Sequence, residues 1–586
     1  MTLAETLRGM LVVAFEKAGI EGANLDRVAV VAASDIRHGD YQSNAAMMLA
    51  KPAKMNPRAL AEEVLGHLES ELAGKAVCSL AGPGFINFKL EPAFFAEHLK
   101  GVFADERLGV SKVADSQKIV VDFSAPNVAK PMHVGHIRST VIGESLARLS
   151  HFLGHEVIRD NHIGDWGTQF GMVLWAWKKE LNEAALEEEP LRELLRLYRL
   201  GSSSTKADEE IANLCRAELV KLQSGDEENT AIWQRCIELS KVGLNEIYDR
   251  LDVSFDHWLG ESFYNERLGP VVDEMVANGM AKESEGAICV FSAGELPPKK
   301  DPFLKTTKEG VEDYPFIIRK SDGGFNYATS DIATIDYRLK EWQAEVIWYV
   351  VDFRQEEHFT RLFEVAERRG CEAELVHVKF GTILGKDGTP LKTRAGDLPQ
   401  LEDVINDAVE AARKSVAEKS FLEDEQEKEE LAELIGLSAI KFMELSHRRE
   451  SDYTYDLEKM VALEGDTAPY LQYSYVRCRS IFRKLEEEVT LGGDDLVLED
   501  EREIHLARTI ARFGEVVPQV LEDLRPNVLA SYLLDLARAY HSFFQSCPVL
   551  KSEGATKASR LTLCEVTARV LKLGLGLLGI GVPEKM

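Results

Sequence analysis

Cysteine is sparse in this sequence, with eight residues among 586, scattered and without a CxxC pair. Neither a zinc site nor a disulfide framework is indicated, and a reducing, cytoplasmic setting is expected. Long apolar runs are missing too. No stretch approaches the ~18 apolar residues that a membrane span needs. The opening MTLAETLRGMLVVAFEKAG interrupts its apolar period with acids, unlike a signal peptide. No internal repeat is visible, which argues against a solenoid. Positive charge is in deficit: Lys and Arg number 69 against 98 Asp and Glu, for a net charge of −29. That balance excludes a generally basic surface, but not a local basic face, because polyanion binding needs only the latter.

What remains is ample for several buried cores, since 586 residues with 45% hydrophobic and 28% charged exceed one ordinary domain. Residues 1–112 read as a separate α/β module. LAETLRGMLVVAFEKAG has the spacing of an amphipathic helix, and RVAVVAAS and FINFKL read as strands. KIVVDFS at 118–124 is a short β-branched strand. It passes through a proline-marked loop into IRSTVIGESLARLSHFLG, a helix closed by Gly154, and HEVIRDNHIG opens a second strand. Strand, helix and strand make a βαβ unit and hence a parallel sheet. From about 178 to 260 the sequence reads as charged surface helices broken by loops such as GSSSTKADEE. Strand signals return at FIIRK, FNYATS, VIWYVVD and HVKFGTIL. The expected fold is therefore α/β, a parallel sheet split by a long insertion. Residues 401–586 read as helical, with FLEDEQEKEELAE as a solvated helix face.

Chemistry is promised by SAPNVAKPMHVGHIRS at 124–139, which leaves a strand and opens a helix. In doubly wound sheets ligands sit at the carboxyl ends of strands, and phosphates at helix N-termini. The dipole and the free amides of the first turn favour an anion there. Gly135 withholds a side chain, so a flat base or ribose can approach the backbone. His133 and His136 present donors to phosphate oxygens, and Lys130 adds a fixed positive charge. Two surface histidines in a plain loop are the alternative, and HxGH by itself is only moderately specific.

HVGH is similar to HIGH, the first signature of class I aminoacyl-tRNA synthetases. Longer strings follow in order: VDFSAPNVAKPMHVGHIRST, NHIGDWGTQFG, GESFYN, YATSDIAT, DFRQEEHF, FGTILGKDGTPLKTRAG, DTAPYLQYSYVR and LLGIGVPEKM. Together they resemble the arginyl-tRNA synthetase family over essentially the whole chain. The resemblance implies an N-terminal module for the tRNA elbow at 1–112 and a Rossmann-type catalytic domain at 113–400 with its insertion at about 178–310. A helical connector and anticodon-binding domain would occupy 401–586. It implies ATP, with Mg²⁺ on the phosphates and no structural metal, and L-arginine and tRNA(Arg) as partners. Arginine would join the α-phosphate of ATP, releasing pyrophosphate, and pass to the terminal ribose of tRNA, with tRNA required for the first step. A monomer free of membranes is expected.

A guanidinium is a planar, permanently charged fork of donors, best met by a carboxylate with an oriented acceptor beside it. Tyr327 and Asp331 stand four apart, on one face of a helix. The resemblance gives them the guanidinium, while in isolation they read as an ordinary surface pair. It puts Asn127 and Gln355 at the amino and carboxylate ends, with Asp122 and Ser124 near the ammonium. Asp122 also reads as a strand-end carboxylate capping nearby amides, and His358 either orients ligand or supports Gln355. The second class I signature, KMSKS, is loosened here to Pro390-Leu391-Lys392-Thr393-Arg394, with Thr393 replacing its second lysine. The resemblance assigns the missing charge to Lys130, assisted by Lys386, Lys392 and Arg394. Gly385 and Gly388 suit a loop that closes on ATP.

On the RNA side, Arg477, Arg479, Arg483 and Lys484 follow PYLQYSY, giving a basic helix face interleaved with tyrosines or a merely solvated one. In GFINF, Phe85 and Asn87 are two apart on a strand and so on one side, placed to stack and read a flipped base unless Phe85 is core. The rival functions are a class I synthetase of other specificity and a tRNA-binding paralogue without catalysis. The intact HVGH and the Tyr327–Asp331 pair speak against them.

Overall fold

The computed structural model describes every residue except Ser34, Glu309, Phe421, 393–397 and 494–495. The chain forms two compact units. One comprises Met1–Lys112, Val416–Leu434 and Ala462–Met586, and the other Val113–Ser415 and Ile435–Val461.

The second unit holds the expected parallel sheet. Its strands are β1 (Lys118–Asp122), β2 (Glu156–Asp160), β3 (Val346–Tyr349) and β4 (Glu374–His377), in the order β4-β3-β1-β2. Ile119, Val120, Val121 and all of β3 are buried, as in a sheet covered on both faces. The register places Asp160, Asp122, Tyr349 and His377 in one row at the carboxyl ends. Helix α1 (Val134–Leu153) follows β1 and ends at a left-handed Gly154, φ 100°. Gly143 lets α1 press against the end of β1, where an added Cβ would meet Phe123 Cγ at 2.3 Å.

The insertion contributes α2 (Thr168–Glu180), α3 (Pro190–Ala207), α4 (Glu209–Gln223) and α5 (Glu227–Arg250), packed around Phe170, Leu174, Leu194 and Leu197. The expected loop GSSSTKADEE is not a loop. Helix α3 continues to Ala207, and only Asp208 separates it from α4. Gly201 serves packing, since a Cβ there would stand 2.7 Å from the Met172 carbonyl on α2. The Ser203 and Thr205 hydroxyls donate to the carbonyls of Leu200 and Ser202, both at 3.0 Å, so these turn formers are absorbed into the helix.

Other strand expectations change as well. FIIRK is a strand at Phe316–Arg319, but in an antiparallel sheet with Ala287–Val290 and Ala281–Ser284. FNYATS is not a strand. Asn326 accepts the Ala328 N–H at 3.1 Å and caps α6 (Tyr327–Lys340), so the aromatic residues that suggested a strand begin a helix. HVKFGTIL is divided between β4 and Ile383–Leu384, which pairs in parallel with Tyr453–Thr454. Helix α7 (Glu356–Arg368) joins α6 over β3 through Ile332, Ile335, Phe359 and Leu362.

In the first unit an antiparallel sheet runs in the order Val31–Ala32, Tyr41–Ser43, Phe85–Leu90, Ala76–Ala81. RVAVVAAS yields only Val31–Ala32 as strand, because its partner is itself three residues long. The segments beyond 462 are helical, from Ala468–Arg483 to Gly554–Leu577. They share this unit with the N-terminal sheet: Tyr41 OH donates to Glu515 at 2.8 Å, and Arg569 donates to the carbonyls of Phe103 and Asp105 at 2.5 and 2.8 Å. Among the described residues no helix is long and apolar enough to cross a membrane.

Candidate active site

Between β1 and α1 the backbone passes through three non-glycine residues in the left-handed region, Ser124 (φ 72°), Ala125 (φ 47°) and Ala129 (φ 62°). Side chains hold this unfavourable path. The N–H groups of Ser124, Ala125 and Ala129 donate to Ser139 Oγ at 2.8 Å, Asn161 Oδ1 at 3.2 Å and Ser240 Oγ at 3.0 Å. His133 then caps α1. Its Nδ1 accepts the Gly135 N–H at 3.1 Å, its own N–H donates to His136 Nδ1 at 3.0 Å, and the two rings lie 3.8 Å apart. With each Nδ1 acting as acceptor, the proton of each neutral ring sits on Nε2, and both histidines offer an Nε2–H donor. Burial pushes His136 down to about 3 and also lowers His133, with the charges of Lys130 and Arg354 adding to the latter. Burial thus favours the neutral form of both rings. Gly135 has a reason beyond ligand approach: an added Cβ would stand 2.9 Å from His133 Cε1 and Nδ1, in the space the folded-back imidazole occupies.

Helix α6 presents Tyr327, Asp331, Thr334 and Arg338 along one face, at spacings of four, three and four. Tyr327 is 60% exposed, and its ring meets His358 edge-on at 4.7 Å. His358, buried on α7, has its Nε2 2.6 Å from Asp331 Oδ2. It thus supports Asp331, whereas Gln355 lies exposed in the turn between β3 and α7. Arg338 is fully buried, and its Nη2 donates to Asp122 Oδ2 at 2.6 Å and Asp160 Oδ2 at 2.7 Å. Asp122 is therefore not an amide cap; it is one of two neighbouring strand-end carboxylates bridged by a guanidinium. Burial raises the Asp160 carboxyl even beside Arg338. Ser124 is turned inward, its hydroxyl 2.8 Å from Thr140 Oγ1 and 2.7 Å from Tyr248 OH. Asn127 is exposed and lies over Gly164, where a Cβ would come within 2.4 Å of its Oδ1.

Two acidic contributions escaped the sequence. One is Asp160, which Arg338 bridges to Asp122, since the arginine lies 178 residues from Asp160 in the sequence. The other is Glu261 in GESFYN, whose carboxyl is raised by burial to about 7, with Asp165 and Asp331 adding their charge. Asp165 accepts Ser262 N–H at 2.8 Å and Ser262 Oγ–H at 2.6 Å, which fixes that segment. Asp331 and Glu261 thus lie close enough at this end of the sheet for their carboxyl groups to interact.

The loop carrying the loosened second signature turns tightly, with the Gly385 N–H donating to the Thr389 carbonyl at 2.7 Å. Lys386 and Lys392 are exposed, the former 3.7 Å from Asp456. Thr393 and Arg394 lie outside the described residues. The following segment binds the first signature: Val134 N–H donates to Pro399 O at 2.9 Å, and Leu401 N–H to Met132 O at 2.8 Å. Lys130 is half-buried, its Nζ 4.0 Å above the Tyr198 ring.

In the first unit Phe85 and Asn87 share the strand face opposite Ile86 and Phe88; Phe85 is half-buried, and Asn87 is buried along with Ile86 and Phe88. The four cations on Ala468–Arg483 and its cap do not form one face. Arg477 meets His541 Nδ1 at 2.9 Å and stacks on Tyr473 and Phe544, whereas Arg479 pairs with Glu565 at 2.5 Å and Arg483 donates to the Glu584 carbonyl at 3.1 Å. Their spacing sets Arg477 and Lys484 against Arg479 and Arg483, on opposite sides of the helix.

Comparison with known proteins bears on the whole chain. The family described as class I tRNA synthetases (R), catalytic domain, matches residues 98–457. An arginyl tRNA synthetase N-terminal domain matches 4–90, and a DALR anticodon binding domain matches 471–586. The chain is 41% identical to an arginine–tRNA ligase of Crocosphaera subtropica, covering 94% of each. It is 44% identical to one of Escherichia coli O157:H7, again over 94% of each. Its fold is similar to the arginyl-tRNA synthetase of Plasmodium falciparum, with a TM-score of 0.82 and 28% identity over 100% of this chain and 99% of that one. The Thermus thermophilus arginyl-tRNA synthetase gives 0.81 and 25%, covering both chains fully.

Proposed function

The chain belongs to the arginyl-tRNA synthetase family, class I enzymes that act as arginine–tRNA ligases using ATP, and from that membership we propose how its residues divide the work. The observation that carries the reading is the meeting of two sites at the carboxyl end of one parallel sheet. A pair of Nε2–H donors stands at the start of α1, and Asp331, braced by His358, stands on α6. Asp331, held by His358, and Tyr327 take the guanidinium of arginine, with Glu261 as a second carboxylate. Asn127 and Gln355 hold the amino and carboxylate ends, and Asp122 contributes negative charge beneath the ammonium. His133, His136 and Lys130 face the phosphates of ATP, Gly135 gives them room, and Lys386, Lys392 and Arg394 approach from the second loop. Mg²⁺ supplies further neutralisation when it arrives with the nucleotide.

The arginine carboxylate oxygen attacks the α-phosphorus and pyrophosphate leaves. The terminal ribose hydroxyl of tRNA(Arg) then attacks the adenylate carbonyl and AMP leaves. The protein acts by orientation and by neutral and cationic donors aimed at phosphate oxygens. Residues 1–112 take the tRNA elbow, with Phe85 and Asn87 on the contact face, 113–400 form the catalytic domain, and 401–586 are the connector and anticodon domain. There Arg477, Arg479, Arg483 and Lys484 contact RNA from two sides of their helix.

The test is arginine-dependent exchange of pyrophosphate into ATP, with and without tRNA, on the natural protein and Asp331→Asn. Exchange that needs tRNA and disappears in Asp331→Asn, with tRNA affinity retained, is the expected result. Exchange supported equally by another amino acid would remove the assigned specificity.

A further inference from the structure

The segment ahead of the first signature, Asn127 to Lys130, is built into the insertion. Val128 and Ala129 are 0% and 1% exposed and pack in the apolar cluster of α2, α3 and α5. Ala129, strained at φ 62°, is pinned by the hydroxyl of Ser240 on α5. The next side chain, Lys130, extends over Tyr198 on α3, with Nζ 4.0 Å from the ring centroid. The ring is itself anchored. Leu194 and Leu197 beside it are buried, and Gly201, less than one turn further, draws α3 against the α2 backbone. Among the described residues no carboxylate pairs with Lys130.

We propose that Tyr198 is a positioning residue for the synthetase reaction: its ring holds the Lys130 ammonium beside the first signature, where the phosphates of ATP bind. The inference rests on the phosphate role given to Lys130 above. The choice of an aromatic partner has a physical sense. A carboxylate would fix the lysine equally well but would neutralise it. A ring attracts the ammonium through its quadrupole and leaves the full positive charge available to an incoming anion. It also restricts a long side chain that is otherwise free to rotate. The direction of the His133 shift, lowered in part by Lys130, agrees with an ammonium already near the signature.

The experiment is a double-mutant cycle with Tyr198→Leu, Lys130→Met and the double variant, plus Tyr198→Phe, by tRNA-supported pyrophosphate exchange. Tyr198→Leu should lower kcat about 2- to 30-fold, equivalent to about 0.5–2 kcal/mol at 1.36 kcal/mol per decade. KM for arginine should stay unchanged, Tyr198→Phe should recover the rate, and Tyr198→Leu should cost nothing more once Lys130 is Met. An equal loss with or without Lys130, a Phe variant as poor as Leu, or no loss in Leu overturns the inference. If Lys130→Met itself leaves exchange intact, the underlying role of Lys130 fails along with it, and that outcome is distinct from the others. Should Tyr198→Leu not fold, Tyr198→Met carries the same comparison.

Discussion

Replacing Arg338 with methionine should remove more stability than almost any other single change in the sheet unit. In the structure one nitrogen, Nη2, serves both Asp122 and Asp160, whose side chains are 9% and 0% exposed. The two acids face each other across adjacent strands in register. Without the guanidinium they become a buried like-charge pair, and breaking such an ion pair by deleting one partner costs about 3–5 kcal/mol. The pH dependence gives a sharper signature. Asp160, already raised by burial, rises further in the variant, each unit adding about 1.36 kcal/mol. An acid whose folded pKa lies above its unfolded value binds more protons in the folded state, so stability falls as pH rises. Below about 4 both states are protonated and this penalty is absent. The deficit of Arg338→Met should therefore be largest near pH 8 and shrink toward pH 5. Urea unfolding followed by tryptophan fluorescence, with Trp348 buried on β3, reads it directly. Adding Asp160→Asn should recover part of the loss. A deficit under about 1 kcal/mol, or one as large at pH 5 as at pH 8, would refute the account of this triad as a neutralised buried pair.

Further outcomes follow from the site. Gly135→Ala should reduce kcat for pyrophosphate exchange by about tenfold or more with tRNA affinity unchanged, because its Cβ displaces the His133 ring; a full rate would deny the ring its role. Arginine should bind more tightly as pH rises through about 7, since a cation favours the ionised form of Glu261. Calorimetry in buffers of different ionisation enthalpy should detect proton release below that pH, and Glu261→Gln should abolish it; identical heats in all buffers would exclude Glu261 from the pocket.

Much of this was legible in the sequence, where local chemistry decides structure. The βαβ start at 118–160 follows from short β-branched strands, a helical period and Gly154, all contiguous and all found. The histidine pair is likewise local. Legibility failed where packing overruled composition. Gly201, Ser202 and Ser203 look like a turn, but Gly201 is needed for the approach of α3 to α2. Phe325 and Tyr327 look like strand residues, but Asn326 between them starts a helix. It failed again for partners distant in sequence. Arg338 meets Asp122 and Asp160 across 216 and 178 residues, and no spacing rule spans such separations. His358 could be placed near the pocket, but its partner Asp331 belongs to another helix.

The interleaving of the first unit sets a timetable for synthesis. Tyr41 and its acceptor Glu515 are separated by 474 residues. At about 5–20 residues per second, a ribosome needs roughly half a minute to a minute and a half to cover that distance. During that interval all four strands of the parallel sheet emerge, while the opening module waits for helices not yet made. The stretch translated first is thus among the last to be completed. A nascent chain that stalls late would carry a largely assembled parallel sheet and an unfinished module, and that module is where a chaperone would find its purchase.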